Sequence, residues 1–538
     1  MTLTIADLKE TIALVQHYGS STKAARALGV TRQTMDHRVK LAKEAGLTEP
    51  VVGGQVHPPA REEWPLPKKG TINRHIFTCA QNNTRLHEAT WQNLKALAAY
   101  YKASIHVSTF TYDTGAWGVR SVKLGTAEAK GAGIWYAPEI VPHILDHSAV
   151  VAPGLVWCGE MNILPTAVRP LSGLESYTGR KSGIFPHPQF AMESVASGKS
   201  ESTKFNYTTG TVTQRHYIAK KAGQKAEFHH GYGAVLVEVN SEGAWWVRQL
   251  NADSNGDMYD LLLLASGGKV DRHDGVEAIT WGDIHVGTVP QSVHKAAWGK
   301  GGMLDTLTPA YQFMHDVLDF RSQNHHDTKN PHKIFEKYID GVDDVVEELS
   351  EVAQFIAWGS YRDWCKTVVV DSNHDNAFVR WLREADYRRD PKNAVIFLRA
   401  QLAVYEAIES RNKTFHAVEW AVHDRRILND ENVQFLRPDE SFVICKDANG
   451  GIECGMHGDK GPNGSRGTLQ AFARMGRKSN TGHSHSAGIH AGAYRAGVTG
   501  SLDQGYNVGP SSWSHSHIVT YPNGKRTIIT VWGGKWRA

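Results

Sequence analysis

Five short stretches of this chain share one pattern, in which an apolar, strand-like run ends in side chains that bind metals. The polar ends are Asp283-Ile284-His285, His315-Asp316-Val317-Leu318-Asp319, Asn373-His374-Asp375, His457-Gly458 and Gly482-His483-Ser484-His485. Because the carboxyl ends of strands in α/β folds converge on one edge of a sheet, we expect these distant side chains to meet. The pattern therefore predicts an α/β (α+β) fold with a metal centre at a sheet edge.

The spacing within these stretches also favours metal binding. In Asp283-Ile284-His285 and in His483-Ser484-His485 the two ligand types are two residues apart, which places both on one side of an extended backbone. Neighbouring glycines leave room for tight turns beside an ion, and they are Gly282, Gly287, Gly458 and Gly482.

The ordered set D-x-H, D-x-x-D, N-H-D, H-G and G-H-x-H, over about residues 275–500, resembles the calcineurin-like metallophosphoesterase superfamily. The resemblance implies a C-terminal β-sandwich flanked by helices and a pair of divalent ions that hydrolyse a phosphoester. Manganese is the expected metal, with iron, zinc or magnesium as alternatives, since mixed carboxylate, imidazole and amide ligands disfavour calcium.

The resemblance also implies a role for each matched residue. One ion would be held by Asp283, His285, Asp316 and His485, and the other by Asp316, Asn373, His457 and His483. His374 would lie above the phosphate and stabilise charge or protonate the leaving oxygen, and Asp375 would orient it. His416 and His423 compete with His457 for the fourth motif, but they lie in a helical run.

Two positions depart from the family pattern. His315 and Ser372 stand where the family usually has glycine before its aspartate and its asparagine. Neither change removes a ligand, and His315 is a candidate for a supporting contact behind the ligands.

Residues 1–50 have the pattern of a helix-turn-helix unit, with small residues where helices approach and Gly29 at the turn. The motif resembles DNA-binding helix-turn-helix domains, whose second motif helix enters the major groove. That helix would present Arg32, Gln33, Thr34, His37 and Arg38 to DNA. A helical hairpin used for packing or oligomerisation is the alternative.

The remaining boundaries follow composition and periodicity. Residues 51–70 are rich in proline and glycine and predict a linker. Residues 71–270 predict an α/β domain of unassigned role, with a strand–helix–strand unit near its start and a hairpin over about 234–250. Residues 271–538 would form the metallophosphoesterase domain.

Composition excludes several protein classes. The chain has 41% hydrophobic and 21% charged residues, as ordinary globular proteins do, and its net charge is only +4. No apolar run reaches the roughly 18–20 residues that span a bilayer, and no secretion signal is evident. We expect a cytoplasmic protein without a membrane segment, with homo-oligomerisation left open.

Basic and aromatic residues near the metal motifs favour DNA as the partner. They include Arg380, Arg383, Arg388, Arg389, Trp532 and Trp536. The whole chain also resembles phage pre-early proteins of DNA transfer and host-DNA degradation, which implies a metal-dependent DNase acting in the host cytoplasm. A protein phosphatase or small-molecule phosphodiesterase, and a DNA-binding regulator with a non-catalytic phosphoesterase fold, are the alternatives.

Overall fold

A computed structural model describes residues 3, 5–18, 20–45, 61–112, 134–428, 430–447 and 450–538. The chain divides into two compact units, Met1–Arg61 and Glu62–Ala538. Residues 51–60 of the predicted linker lie outside the described residues. None of the helices in the described ranges is long and apolar enough to cross a membrane.

The N-terminal unit is the predicted set of three helices, α1 (Ile5–Tyr18), α2 (Ser21–Ala27) and α3 (Arg32–Glu44). The Ser20 hydroxyl accepts from the Lys23 amide at the start of α2, and the Thr31 hydroxyl accepts from the Thr34 amide at the start of α3. Gly29, at a φ of +69°, makes the turn between α2 and α3.

The second unit combines helices with several sheets. Its first thirteen strands are β1 (Glu62–Glu63), β2 (Ile72–Gln81), β3 (Ser104–Phe110), β4 (Ser148–Ala152), β5 (Leu155–Cys158), β6 (Ser182–Phe185), β7 (Met192–Val195), β8 (Lys204–Thr208), β9 (Gly233–Asn240), β10 (Trp245–Asn251), β11 (Met258–Asp260), β12 (Leu263–Ser266) and β13 (Lys269–Arg272). The later strands are β14 (Ala278–Thr280), β15 (Tyr311–Met314), β16 (Lys366–Val369), β17 (Val433–Phe435), β18 (Val443–Ile444), β19 (Ile452–Glu453), β20 (Lys478–Thr481), β21 (Gly488–His490), β22 (Ala493–Arg495), β23 (Ser516–Thr520) and β24 (Arg526–Thr530).

The helices of this unit lie between the strands in sequence. They are α4 (Glu88–Tyr101), α5 (Lys221–His229), α6 (Gln291–Trp298), α7 (Met303–Leu307), α8 (Pro331–Asp340), α9 (Val345–Gly359), α10 (Asp375–Glu384), α11 (Ala394–Glu409), α12 (Ala417–His423) and α13 (Leu469–Phe472). The prediction of a mixed α/β chain is therefore confirmed.

An eleven-stranded sheet runs in the order β1-β4-β5-β6-β8-β7-β21-β22-β20-β19-β18. Its strands come from both sides of residue 270, where the sequence predicted a domain boundary. The link is the antiparallel pairing of β7 with β21. The segments 71–270 and 271–538 thus share a sheet and belong to one compact unit.

A four-stranded sheet, in the order β10-β9-β2-β3, contains the two features that the sequence predicted for this region. Strands β2 and β3 are parallel and are joined through α4. Strands β9 and β10 pair as an antiparallel hairpin.

A six-stranded sheet, in the order β17-β16-β15-β14-β23-β24, positions the metal motifs. Strands β14, β15 and β16 are neighbours and run parallel, so the residues after them emerge at one edge. Two more motifs follow β19 and β20, which are parallel neighbours in the eleven-stranded sheet.

A charged cluster lies inside the fold beside β9 and β10. The Arg248 guanidinium, 2% exposed, donates to the Glu238 and Asp260 carboxylates at 2.7 Å. Arg74 donates to the other oxygen of Glu238 at 2.8 Å. Burial would raise the pKa of Glu238, but Arg248 and Arg74 outweigh it and hold that pKa at about 2.

We expect Arg248→Ala to destabilise the second unit by about 3–5 kcal/mol, because two carboxylates lose their buried partner. The measurement is the urea midpoint followed by far-ultraviolet circular dichroism. The matched control is Arg388→Ala, which removes an exposed arginine paired with Asp386 and should leave the midpoint unchanged. Equal midpoints for both variants would show that the cluster contributes little.

Candidate metal centre

Four side chains of the predicted first ligand set meet in a buried group, and they are Asp283, His285, Asp316 and His485. The two imidazole Nε2 atoms, of His285 and His485, face each other at 3.0 Å. The Nε2 atom of His485 lies 3.2 Å from Asp283 Oδ2, and that of His285 lies 3.8 Å from Asp316 Oδ2. One ligand atom from each residue lies within 4.8 Å of the others, the spacing that a single ion requires.

The predicted second set adjoins the first through Asp316. Its Oδ2 atom lies 3.3 Å from His457 Nε2, and that nitrogen lies 3.0 Å from Asn373 Oδ1. The same amide oxygen lies 3.0 Å from His483 Nδ1. The structure therefore brings all seven predicted ligands together, with Asp316 between the two sets.

The backbone is left-handed at four of these ligands. The φ angles of Asp316, His285, His483 and His485 are +47°, +48°, +76° and +58°. Such conformations cost a non-glycine residue roughly 1–3 kcal/mol each and persist only where the surrounding structure enforces them. Their concentration at the sheet edges shows that the fold holds these side chains inward at an energetic cost.

Asp319 is a central residue to which the sequence reasoning gave no role, although it is the second aspartate of the D-x-x-D motif. Its Oδ1 atom accepts from His285 Nδ1 at 2.9 Å and lies 3.2 Å from His374 Nδ1. Because Nδ1 of His285 then carries the proton, its Nε2 lone pair is directed at the metal centre. Asp319 thus fixes the tautomer of His285 and the orientation of His374.

The sequence predicted that Asp375 orients the catalytic residue His374, but in the structure the two side chains have different partners. His374 Nδ1 also donates to the Asp319 carbonyl at 3.0 Å. The Asp375 carboxylate instead accepts from the Ser372 hydroxyl at 3.1 Å, at the start of α10. Asp319 therefore provides the orienting contact that the sequence assigned to Asp375, because Asp375 turns into the loop before its helix.

His315, which replaces the usual glycine, is buried behind the second set. Its Nδ1 lies 3.4 Å from His457 Nδ1, so one ring donates to the other. Burial lowers the pKa of His315 to about 4, which favours its neutral form. Its contact fixes the ring that offers Nε2 to Asp316 and Asn373, as the sequence suggested for this position.

The electrostatics of the group are those of a cation site. Burial would raise the pKa values of Asp283 and Asp316, but the neighbouring histidines outweigh it and hold both below their usual range. Burial would likewise lower the pKa of His457, and the two aspartates raise it to about 9. Two buried carboxylates therefore need nearby positive charge, which bound ions would provide.

The residues present fit divalent ions. Asp283 Oδ1 and Asp316 Oδ1 are buried and have no hydrogen-bond partner among the described residues. Unpartnered buried carboxylate oxygens are costly unless a cation binds them. The set of two carboxylates, one amide oxygen and four imidazoles suits manganese, iron or zinc.

Comparison with known proteins supplies a relative. The chain is 40% identical over 490 residues to Protein A1 of Escherichia phage T5, and the alignment covers 89% of this chain and 84% of that protein. The chain belongs to the protein A1 family. No family model matches the chain. The relative is a phage protein whose name states no activity. The activity of this chain therefore has to be inferred from its candidate site.

The predicted DNA-contacting residues of this A1-family chain lie together on α3, in the N-terminal unit. Arg32, Gln33, Thr34 and His37 are exposed, and Arg38 is half-buried. Arg32 forms an exposed ion pair with Asp36, at 3.6 Å, and such pairs are weak. The helix therefore presents the polar face that the sequence predicted.

We expect Gly482→Ala to weaken the metal affinity of this chain about 10- to 100-fold, which is the typical effect of disturbing a group that supports a metal site. A Cβ atom at Gly482 would lie 2.2 Å from Asp283 Oδ1, so this ligand must move. Isothermal titration with Mn²⁺ measures the affinity.

The control for this variant is Ser484→Ala, in the same loop. The Ser484 hydroxyl is buried and has no hydrogen-bond partner in the described part of the chain, so its removal should leave the affinity unchanged. Wild-type affinity in Gly482→Ala would mean that Asp283 does not bind the metal.

Proposed function

We propose that this chain is a two-metal phosphodiesterase of the calcineurin-like metallophosphoesterase type and that its substrate is DNA. The observation that carries the proposal is the pair of adjoining ligand sets that share Asp316. Paired sites of this kind stabilise both the attacking and the leaving oxygens of an in-line displacement at phosphorus. The five motifs behind the site follow the family order, which supports the family assignment.

The ions, when bound, supply Lewis-acid stabilisation of the phosphoryl group and activate water. The protein orients the other participant, His374. Its Nδ1 faces Asp319, which leaves Nε2 available to donate a proton to the leaving oxygen. Asp319 binds both His285 and His374, so it couples the position of a ligand to the position of the proton donor.

Several features support DNA as the substrate. Helix α3 carries the polar face described above. Helix α10 begins directly after His374, and the exposed arginines on and after it are Arg380, Arg383, Arg388 and Arg389. Their ion pairs with Glu384 and Asp386 are exposed and weak, so phosphates could compete for them. The relationship to a phage protein fits the proposal that host DNA is degraded.

The direct test is incubation of purified protein with plasmid DNA and Mn²⁺. Degradation that a chelator stops is the expected result. Hydrolysis of small phosphoesters with intact plasmid would favour a phosphatase or small-molecule phosphodiesterase. Binding of DNA without turnover of either substrate would favour the non-catalytic regulator.

We expect His374→Ala to lower the DNA cleavage rate about 10²- to 10⁴-fold, because a positioned proton donor is removed. Since His374 is not one of the seven ligands, Mn²⁺ affinity should stay close to that of the wild type. Single-turnover cleavage and isothermal titration measure the two quantities. Loss of metal together with activity would make His374 a ligand and contradict its assignment.

Asp319→Asn should lower both the Mn²⁺ affinity and the DNA cleavage rate. The amide is neutral and cannot accept well from two imidazole N–H groups, so we expect Mn²⁺ affinity to fall about 10- to 100-fold and cleavage to slow at saturating metal. The matched control is Asp327→Asn, which lies outside the site in the loop before α8. A defect cured completely by excess Mn²⁺ would show that Asp319 does not position His374.

A further inference from the structure

Two adjoining cavities of the second unit have volumes of about 520 and 470 Å³. They share the residues that separate them, Ser200, Glu201, Ser202, Thr203 and Trp532. Because these residues line both cavities, the cavities adjoin, and the two together are here called the trough. The loop between β7 and β8 forms its middle.

One end of the trough is lined by a tryptophan that packs on a residue of the metal centre. Trp513 lines the second cavity, and its ring lies 4.1 Å from that of the ligand His485, edge to face. The Thr203 hydroxyl donates to the Trp513 carbonyl, which ties the middle of the trough to this tryptophan. A chain molecule at this end of the trough would therefore contact a tryptophan that packs on His485.

Aromatic rings follow the trough along its length. After Trp513 comes Trp532, which lines both cavities and is half-buried. The ring of Trp532 lies 5.8 Å from those of Trp245 and Phe205, and Trp245 lines the first cavity. Packing on these neighbours holds the Trp532 ring in place. Fixed aromatic rings along a groove are stacking platforms for unpaired bases.

Cationic side chains accompany these rings. Arg180, Lys181 and Lys204 line the first cavity, and Lys199 lines the second. Two of the charges are in exposed ion pairs, Arg180 with Glu201 and Lys199 with Asp503, and such pairs are weak. The Lys204 ammonium donates to the Gly179 carbonyl. Lys181 is the remaining charge, and the described residues offer its ammonium no ion-pair partner.

We propose that the trough binds a single strand of DNA next to the metal centre, with Trp513 between the two. This inference rests on the proposed function and names the form of its substrate. A duplex keeps its bases stacked inside the helix, so only an unpaired strand can stack on Trp532 while its phosphates meet Lys181. The trough thus selects unwound or single-stranded segments for cleavage.

The test measures binding of a fluorescein-labelled oligodeoxythymidylate to the full chain, by anisotropy in buffer with chelator, so that no cleavage occurs. Trp532→Leu keeps apolar packing but removes the stacking surface, and we expect its affinity to fall about 5- to 100-fold, the effect of removing one stacked base. Lys181→Glu should weaken binding and reduce the slope of log K against log salt by about 0.7 for each phosphate that the protein no longer neutralises.

The matched control for the charge reversal is Lys413→Glu, an exposed lysine after α11 that lines neither cavity. Affinity and salt slope in this variant should equal those of the unmodified chain. Equal affinities for Lys181→Glu and Lys413→Glu would overturn the proposal. Circular dichroism melting of Trp532→Leu checks its fold, and if that variant unfolds, the comparison of the two lysine variants still decides.

Two further measurements separate this inference from the proposed function. Hydrolysis of bis(4-nitrophenyl) phosphate with Mn²⁺ by the unmodified chain tests the metal chemistry alone. If the unmodified chain does not hydrolyse this compound but still binds the single strand through Lys181, the proposed phosphodiesterase activity is rejected. The proposal that the trough binds a single strand would then still hold. A duplex of the same length serves as competitor, and an equal loss of duplex affinity in Lys181→Glu would show a general phosphate surface and reject single-strand selection.

Discussion

The burial of two aspartates side by side is the constraint on which the rest of this structure depends. Asp283 and Asp316 are fully enclosed, and like charges in a low-dielectric interior repel strongly. Four imidazoles and one amide surround them, and left-handed backbone at Asp316 and three histidines turns these groups inward. A bound cation would offset the free-energy cost of the buried carboxylates and of the strained backbone. The assembled site, rather than any single motif, therefore indicates metal binding.

Parallel strands explain why the sequence could predict which side chains meet. Strands β14, β15 and β16 are adjacent and parallel, and each ends shortly before its motif. Because the carboxyl ends of parallel strands lie at one edge of the sheet, their positions in the sequence were enough to predict that Asp283, Asp316 and Asn373 lie close together. The helix-turn-helix, the strand–helix–strand unit and the hairpin were also predictable, because local periodicity and turn residues determine them.

Features set by long-range packing could not be predicted. Nothing in the local pattern of β7 indicates that it pairs with β21, nearly 300 residues later, so the sequence did not indicate that the segments on the two sides of residue 270 share a sheet. Asp319 and Asp375 are both aspartates within the motifs, and the sequence does not distinguish them. In the structure Asp319 faces the two histidines and lies between Asp316 and Phe320, whose backbones are left-handed.

That shared sheet has a consequence for the site. Strands β21 and β22 follow the loop that carries His483 and His485, and β7 and β8 are the next strands of the same sheet. The residues of β7 and β8 therefore lie near the metal centre. The segment before residue 270 therefore contributes to the surroundings of the candidate metal centre. It supplies Arg180, Lys181 and the loop between β7 and β8 to the trough, while the C-terminal segment supplies Trp513 and Trp532. The segment before residue 270 supplies all four cations and Trp245, so a trough with these cations and all three tryptophans requires both segments to fold together.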